Sequence, residues 1–412
     1  MALTKDQENV LEAAKLMLLE DHPVLVVDGS AGTGKTTVIK EIIKLQSSAE
    51  WKATLKLTNT RQKNIILTAT TNKAVDAIKE ATGYECKTIH STLGLKMHQR
   101  QMIYPKVEKG NIIHNTLLIV DEYSYIDKKL LSYIMSRLGP SSSVMFVGDH
   151  AQLAPVGSKK VPVVEEGFPT IHLTEQVRQE TSTLKEVAEQ LKQYVTDQEF
   201  PDLKPDGVSF IHYDDSEHEK FAENMVEAFR KGTCRFLSFT NERTLEVSKF
   251  LFEELENRTD YQPGDYMVNN KYFKGPMGSI KTDSTVKLTQ VVPHIYHVKH
   301  VIDGITVMDY IPGMMVDLPN FKGLFIPNDY RSHAHYADAN MDQSMRYAID
   351  STWIDLRPQY ACTVHKSQGS TYDRVFIDLS DFSTVSSDKD LSRLLYVAMS
   401  RARKELHVIG NL

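Results

Sequence analysis

The nonapeptide GSAGTGKTT, Gly29 to Thr37, constrains the surrounding fold more than any other stretch of this chain. It follows the apolar run VLVVD and precedes VIKEIIKLQ, whose apolar residues recur at helical spacing. A strand that ends in a glycine loop and continues as a helix opens a parallel sheet, because the helix must cross back before the next strand can pair. Gly29, Gly32 and Gly34 let the backbone turn tightly, so that the N–H groups of the loop, from Ser30 through Ala31 and Thr33 to Thr37, face one small anion. Lys35 has the reach for the outer phosphates of a nucleoside triphosphate, and the Thr36 hydroxyl suits Mg²⁺. The loop therefore points to ATP with Mg²⁺ and leaves open what the hydrolysis serves.

Around it, the runs 23–27, 64–69, 116–121 and 143–149 read as strands, with helical periodicity in VIKEIIKL, NKAVDAIKE and KKLLSYIMSRL between them. Such alternation implies a parallel sheet with helices on its faces. A second α/β set begins at CRFLSFT and the helical NERTLEVSKFLFEELE, and resumes with YACTV, RVFIDLS, LSRLLYVAMSRA and ELHVIG. Between the halves, STVKLTQVV, HIYHVKHV and ITVMDYI alternate like strands of a small β-barrel. The 412 residues suffice for about two or three domains.

Composition excludes little else. A formal charge of −6 argues against a protein that coats nucleic acid over its whole surface, and leaves room for a local basic groove. No apolar run approaches the roughly 20 residues of a membrane span. The N-terminus lacks a basic region followed by an apolar core, so no secretory signal is expected. Cys86, Cys234 and Cys362 are odd in number and far apart, as in a reducing, cytoplasmic setting.

LLIVDEYS ends an apolar strand in two carboxylates at the edge where parallel sheets bind ligands. Asp121 suits the Mg²⁺ shell and Glu122 suits polarising the attacking water. In MFVGDHAQLAPV, the Gln152 amide both donates and accepts, and can bridge γ-phosphate or water to a neighbour; Asp149 reads equally as a turn residue. Two arginines, Arg178 in LTEQVRQE and Arg401 in VAMSRARK, suit the charge of a phosphoryl-transfer transition state. Arg403 competes with Arg401, and Arg401 is preferred. In YACTVHKSQGST, small donors, Lys366 and the close-approach Gly369 suit phosphate contacts of a polynucleotide or of ATP.

In this order, GSAGTGKTT, TATTNKAV, TIHSTLG, LLIVDEYS, VGDHAQLAPV, LTEQVRQ, TVHKSQGST and LLYVAMSRARKELHVI resemble the motifs of superfamily 1 helicases over nearly the whole chain. TIHSTLG with TVHKSQGS resembles the 5′-to-3′ branch, and the compact length resembles its phage members. The resemblance implies two RecA-like domains with ATP between them and single-stranded DNA across both: residues 1–175 with a pin insertion at 95–112, 176–258, an SH3-like barrel at 259–327, and 328–412. It places Gln7 against the adenine edge and makes Gln152 and Gly369 nucleotide sensors. It puts Thr70, Asn72, Lys73, Thr88 and His90 on DNA from the first domain, and Thr363, His365 and Lys366 from the second. Tyr104 or Met102 is the candidate wedge at the hairpin tip. The implied activity is an ATP-dependent DNA helicase working 5′ to 3′ at single/double-strand junctions, monomeric, with a single-strand-binding protein as a plausible partner. A single-strand translocase that strips bound proteins, an RNA helicase, and a nucleotide-gated switch without turnover are the rivals. The switch ranks last, since Glu122, Arg178 and Arg401 are all present. Lys35→Ala is expected to abolish ATP hydrolysis, and preserved turnover in a phosphate-release assay would refute the assignment of the loop.

Overall fold

The computed structural model describes all residues except 1–2, 21–22, 99–100, 156–157, 159, 176–179, 330, 338, 340 and 412. The chain divides into two compact units, Met1–Phe221 with Ser367–Leu412, and Ala222–Lys366.

The first unit is built on a six-stranded sheet in the order Cys86–Thr88, Asn64–Ala69, Thr116–Asp121, Ser143–Gly148, Val24–Gly29, Thr170–Leu173. Every neighbouring pair is parallel. Three central strands are buried at every residue, which explains their continuous apolar sequences: both faces are covered, so neither face needs polar residues. Leu25 and Val27 face one core, shared with the helices Lys5–Leu19, Lys35–Ser47 and Asn72–Thr82. Val24 and Val26 face the other, shared with the helix Lys128–Arg137. The expected strands at 64–69 and 116–121 coincide with the observed ones, and each ends where a polar residue meets the carboxyl edge. The same unit holds a parallel trio, Tyr372–Asp378, Ala402–Ile409 and Phe210–Tyr213, with the helices Ser182–Asp197 and Asp388–Met399.

Residues Lys96–His98 and Gln101–Ile103 pair as an antiparallel hairpin. In chain order it lies between the strands Cys86–Thr88 and Thr116–Asp121.

In the second unit, Cys234–Ser238 pairs in parallel with Ala361–Thr363, and the helix Asn241–Glu256 follows the first of these. Three short sheets surround an apolar core that includes Met267, Leu288, Val316, Leu324 and Leu356. The run STVKLTQVV is not one strand. Thr285–Lys287 pairs with Tyr266–Asn269, whereas Gln290–Ile302 pairs with Ile305–Leu318. Leu288 donates its amide to Asp265 and Thr289 donates to Asp317, so the chain changes partners within two residues. ITVMDYI, in turn, continues through Pro312 and Gly313 to Leu318. The third strand, Phe321–Pro327, ends opposite Gly313, and just beyond it Asn328 donates its amide to the Pro312 carbonyl at 3.0 Å.

Trp353 anchors a second core in this unit. It is 1% exposed, lies 5.3 Å from the Phe325 ring and is edge-on to Tyr296 and Tyr336. Phe325→Ala should destabilise this unit by about 3–5 kcal/mol, as loss of a fully buried phenyl does. Denaturant unfolding followed by Trp353 fluorescence in a Trp51→Phe background checks it; a shift below about 1 kcal/mol would contradict the packing.

Candidate active site

Gly32 and Gly34 hold φ of 89° and 84°, a left-handed conformation that suits glycine. This lets the loop curl over the N-terminus of Lys35–Ser47, where unpaired amides and the helix dipole favour an anion. Above Gly34 lies the Gln7 amide, close enough that a Cβ there would collide with it. A cavity of about 290 Å³ opens on the loop, lined by Ala31, Gly32, Gly34, Lys35, Thr36, Asp121, Glu122, Gln152, Gly369 and Arg401 together with Ala74, Ala77 and Ile78. Residues more than 360 positions apart in the sequence therefore share one wall.

Lys35 folds back, its Nζ donating to the carbonyls of Gly29 at 2.7 Å and Ser30 at 3.0 Å. The carboxylates opposite are less satisfied. Asp121 Oδ1 and Glu122 Oε2 are buried without a hydrogen-bond partner among the described residues. Burial, then the neighbouring Glu122 charge, pushes the Asp121 carboxyl up to about 7, with Lys35 pulling the other way. Orphaned, desolvated carboxylate oxygens beside the Thr36 hydroxyl are the donor set a Mg²⁺–triphosphate complex satisfies. Glu122 sits at φ 57°, ψ 51°, left-handed for a residue with a side chain. That conformation costs on the order of 1–3 kcal/mol and persists only where the surroundings impose it.

Gln152 is 2% exposed, and its Oε1 accepts from Gln368 Nε2 at 2.8 Å. Gln368 Nε2 also reaches Ser124 Oγ, two residues beyond Glu122, at 3.2 Å. Gly369 has φ 77°, and a Cβ there would lie 3.7 Å from Glu122 Oε1. Arg401, 1% exposed, is held by the carbonyls of Val397 and Ser370 and by Ser400 Oγ. Among the described residues it meets no carboxylate. Arg178 lies outside the described residues.

Several expected contacts are engaged elsewhere. Gln7 Oε1 accepts from Thr4 N in a capping box, and its Nε2 donates to the Thr33 carbonyl at 3.2 Å; both ends of the amide are occupied. Thr70 donates to the Glu122 carbonyl at 3.1 Å, and Thr88 caps the turn that holds His90, which burial lowers in pKa. Asn72 and Lys73 open the helix that follows Thr70, and parallel pairing sets Ala69 beside Thr88. These five residues thus gather at one end of two adjacent strands. In the second unit, Thr363 ends its strand beside Ser238, and His365 is exposed, 6.4 Å from the Phe239 ring. Lys366 donates to Asn270 and lies 3.4 Å from Asp283, so its ammonium is engaged, with burial lowering its pKa. The expected hairpin-tip tyrosine requires a correction: Tyr104 follows the second strand, at the hairpin's foot. It lies edge-on to Tyr133 at 5.1 Å and beneath Lys129 at 4.4 Å. Met102 packs partly buried against the first unit's core.

Sequence reasoning passed over a further polar network. Tyr396 OH donates to Asp149 at 2.6 Å, which makes Asp149 more than a turn residue. Arg393, 6% exposed, donates to the carbonyls of His150 and Gln152. Asp28 collects Tyr123, His150 and His172. A visible signal existed for Asp28, a charged residue closing an apolar strand, whereas Arg393 and Tyr396 lay within a helix pattern that reads as core.

A glycine loop opposite two buried carboxylates on a parallel sheet defines a P-loop nucleoside triphosphatase. Residues 2–209 match the family model described as an AAA domain, and residues 358–409 match the UvrD-like helicase C-terminal domain. The chain belongs to this AAA-domain family and is a superfamily 1 helicase and ATP hydrolase of the Dda and RecD kind. It is 23% identical over 454 residues to the ATP-dependent DNA helicase dda of Enterobacteria phage T4, covering 99% of each chain. It is 22% identical to the RecBCD enzyme subunit RecD of Buchnera aphidicola subsp. Schizaphis graminum, covering 99% of this chain and 73% of that one. In fold it is similar to the Pif1 helicase from Bacteroides, solved in complex with ADP-AlF3 and ssDNA, at a TM-score of 0.51 and 16% identity, covering 100% and 93% of the two chains. Among the described residues no helix is long and apolar enough to cross a membrane.

An acid whose folded pKa lies above its unfolded one stabilises the fold least once it is ionised. With Asp121 at about 7, its penalty is nearly absent at pH 4 and below, grows between the ordinary aspartate value and 7, and stands at full size above 7. Asp121→Asn should therefore raise the thermal midpoint of the ligand-free protein at pH 8 and leave it little changed at pH 4. Melting curves at the two pH values check this, and an equal shift at both would contradict it.

Proposed function

We propose that the chain is an ATP-dependent DNA helicase that moves 5′ to 3′ on single-stranded DNA and opens duplex at junctions. The observation that carries this reading is the single cavity where the glycine loop, Asp121, Glu122, Gln152, Gly369 and Arg401 converge. A triphosphate entering it gives Lys35 phosphate oxygens in place of the loop carbonyls. Thr36 and Asp121 would hold Mg²⁺, which when bound neutralises phosphate charge. Glu122 takes the proton of the attacking water, and Arg401 stabilises the charge developing on the transferred phosphoryl group. Arg178 adds a second guanidinium on the strength of its motif. Gln152, bonded to Gln368, senses whether the γ-phosphate is present, so its loss weakens the preference for the closed state. Gln7 reads adenine only by releasing Thr33 or Thr4, which makes it a responsive contact rather than a standing one.

The same proposal assigns Thr70, Asn72, Lys73, Thr88 and His90 to one DNA-binding edge, and Thr363, His365 and Lys366 to another, with Lys366 exchanging Asn270 and Asp283 for phosphate. The insertion at 95–112, which carries the strand pair Lys96–His98 and Gln101–Ile103, is the pin, and the sheets within 259–327 form the SH3-like insertion between the halves of the second RecA-like domain. The protein works as a monomer in the cytoplasm, in replication, recombination or repair, with a single-strand-binding protein as candidate partner.

Strand displacement on duplexes with a 5′ or a 3′ single-stranded DNA tail tests the reading. Unwinding with the 5′ tail alone is expected. A 3′ preference would overturn the polarity, and DNA-stimulated hydrolysis without unwinding would favour the translocase. Preference for an RNA tail would favour an RNA helicase.

A further inference from the structure

Glu122 has a left-handed backbone, and the residue that follows it is buried and hydrogen-bonded. Tyr123 is 0% exposed, and its OH donates to Asp28 Oδ1 at 2.5 Å. Its ring and amide lie so close to Gly148 that a Cβ there would come within 2.7 Å of Cδ1 and 2.9 Å of the backbone nitrogen. Asp28 is 1% exposed and stands immediately before Gly29 of the phosphate loop. Its second oxygen meets His150 Nδ1 at 2.8 Å and His172 Nδ1 at 3.1 Å, while Oδ1 also accepts from His150 N at 2.9 Å. Burial alone would raise this carboxyl, but the bonds and charges of its partners, His150 first, then Tyr123 and Lys192, bring it well below its ordinary range. Asp28 is thus an anion at the junction of three loops: the phosphate loop, the turn of Glu122, and the loop of Gln152.

From this geometry we infer that Asp28 and Tyr123 are positioning residues, whose buried hydrogen bond holds Glu122 in its left-handed turn against the phosphate loop. The inference rests on Glu122 acting as the base in the reading above. Neither side chain is among the residues lining the cavity. They act on hydrolysis through Glu122, and nucleotide binding, which depends on Lys35 and the loop amides, is left to other groups. Tyr123→Phe keeps the ring on Gly148 and removes only the bond that fixes the turn.

The test measures steady-state ATP hydrolysis, and the affinity and stoichiometry of a fluorescent ATP analogue, for the parent, Tyr123→Phe, Asp28→Asn, the double variant and Glu122→Gln. For Tyr123→Phe, kcat is expected to fall about tenfold or more per nucleotide-binding site, with affinity within about twofold of the parent. In the double variant, the losses of the two single changes should not multiply, because Asp28→Asn weakens and Tyr123→Phe removes the same bond. A kcat for Tyr123→Phe equal to the parent's, or a loss matched by reduced binding stoichiometry, would overturn the inference. Should Asp28→Asn fail to fold, Tyr123→Phe alone decides. Glu122→Gln separates the two layers: if it retains turnover, the assignment of the base fails, and if it is inactive while Tyr123→Phe is normal, only the positioning role fails.

Discussion

The site depends on two carboxyl groups that the protein buries with little to meet them. Asp121 ends a strand whose residues are all buried and Glu122 follows it, and each has one oxygen without a hydrogen-bond partner among the described residues. Elsewhere in the same unit, buried carboxylates are fully met, Asp28 by two histidines and a tyrosine, Asp149 by Tyr396 and the amide of Ala151. Burying a charge without a partner is costly, so it persists where a ligand supplies what the fold withholds. Lys35, the nearest cation by motif, is turned onto carbonyls rather than onto these acids. A cation and triphosphate bound here would satisfy these groups together, and binding would stabilise the folded chain by an amount that grows with the logarithm of the affinity.

The parallel sheet was legible in the sequence because its strands are buried on both faces, and uniform apolar runs such as NIILTA and TLLIVD have few other solutions. The motif residues that line the cavity were legible for a related reason, whereas Ala74, Ala77 and Ile78 were not. Loops at the carboxyl edge of such a sheet converge by topology, so motif order predicts proximity without any knowledge of packing. Patterns fail where partners are distant in the chain. Nothing near Lys366 announces Asn270 or Asp283, and nothing near Tyr104 announces Lys129 and Tyr133. The break in STVKLTQVV was invisible for a similar reason. A change of strand partner leaves the alternation intact, and only the amides of Leu288 and Thr289 record it.

Gln7 shows how one residue serves local and distant needs together. Its position at the third residue of the helix Lys5–Leu19 makes it half of a capping box, a role readable from the spacing to Thr4. The same amide spans to Thr33 in the phosphate loop, which the spacing does not reveal. Because the amide oxygen caps the helix and the nitrogen holds the loop, recruiting either end to a base loosens one of two structures. On the proposed reading of Gln7, nucleotide recognition would thereby be coupled to the first turn of the helix.

Arg401 and Arg403 stand two residues apart, and charge alone does not separate them. Arg403 is partly exposed and pairs with Asp373 and Glu180, contacts worth roughly 0–1 kcal/mol at a surface. Arg401 is buried, and its described partners are two carbonyls and a hydroxyl. Dipoles orient a guanidinium without neutralising it, so its charge remains available to an anion in the cavity it lines. The helix Asp388–Met399 leads directly into Arg401 and also sends Arg393 and Tyr396 to the loop from Asp149 to Gln152. Any displacement of that helix must shift the cation and reposition Gln152 together, because both are tied to one rigid element. Arg401 and Gln152, the residues proposed to meet phosphate and to sense it, are therefore mechanically linked through that helix.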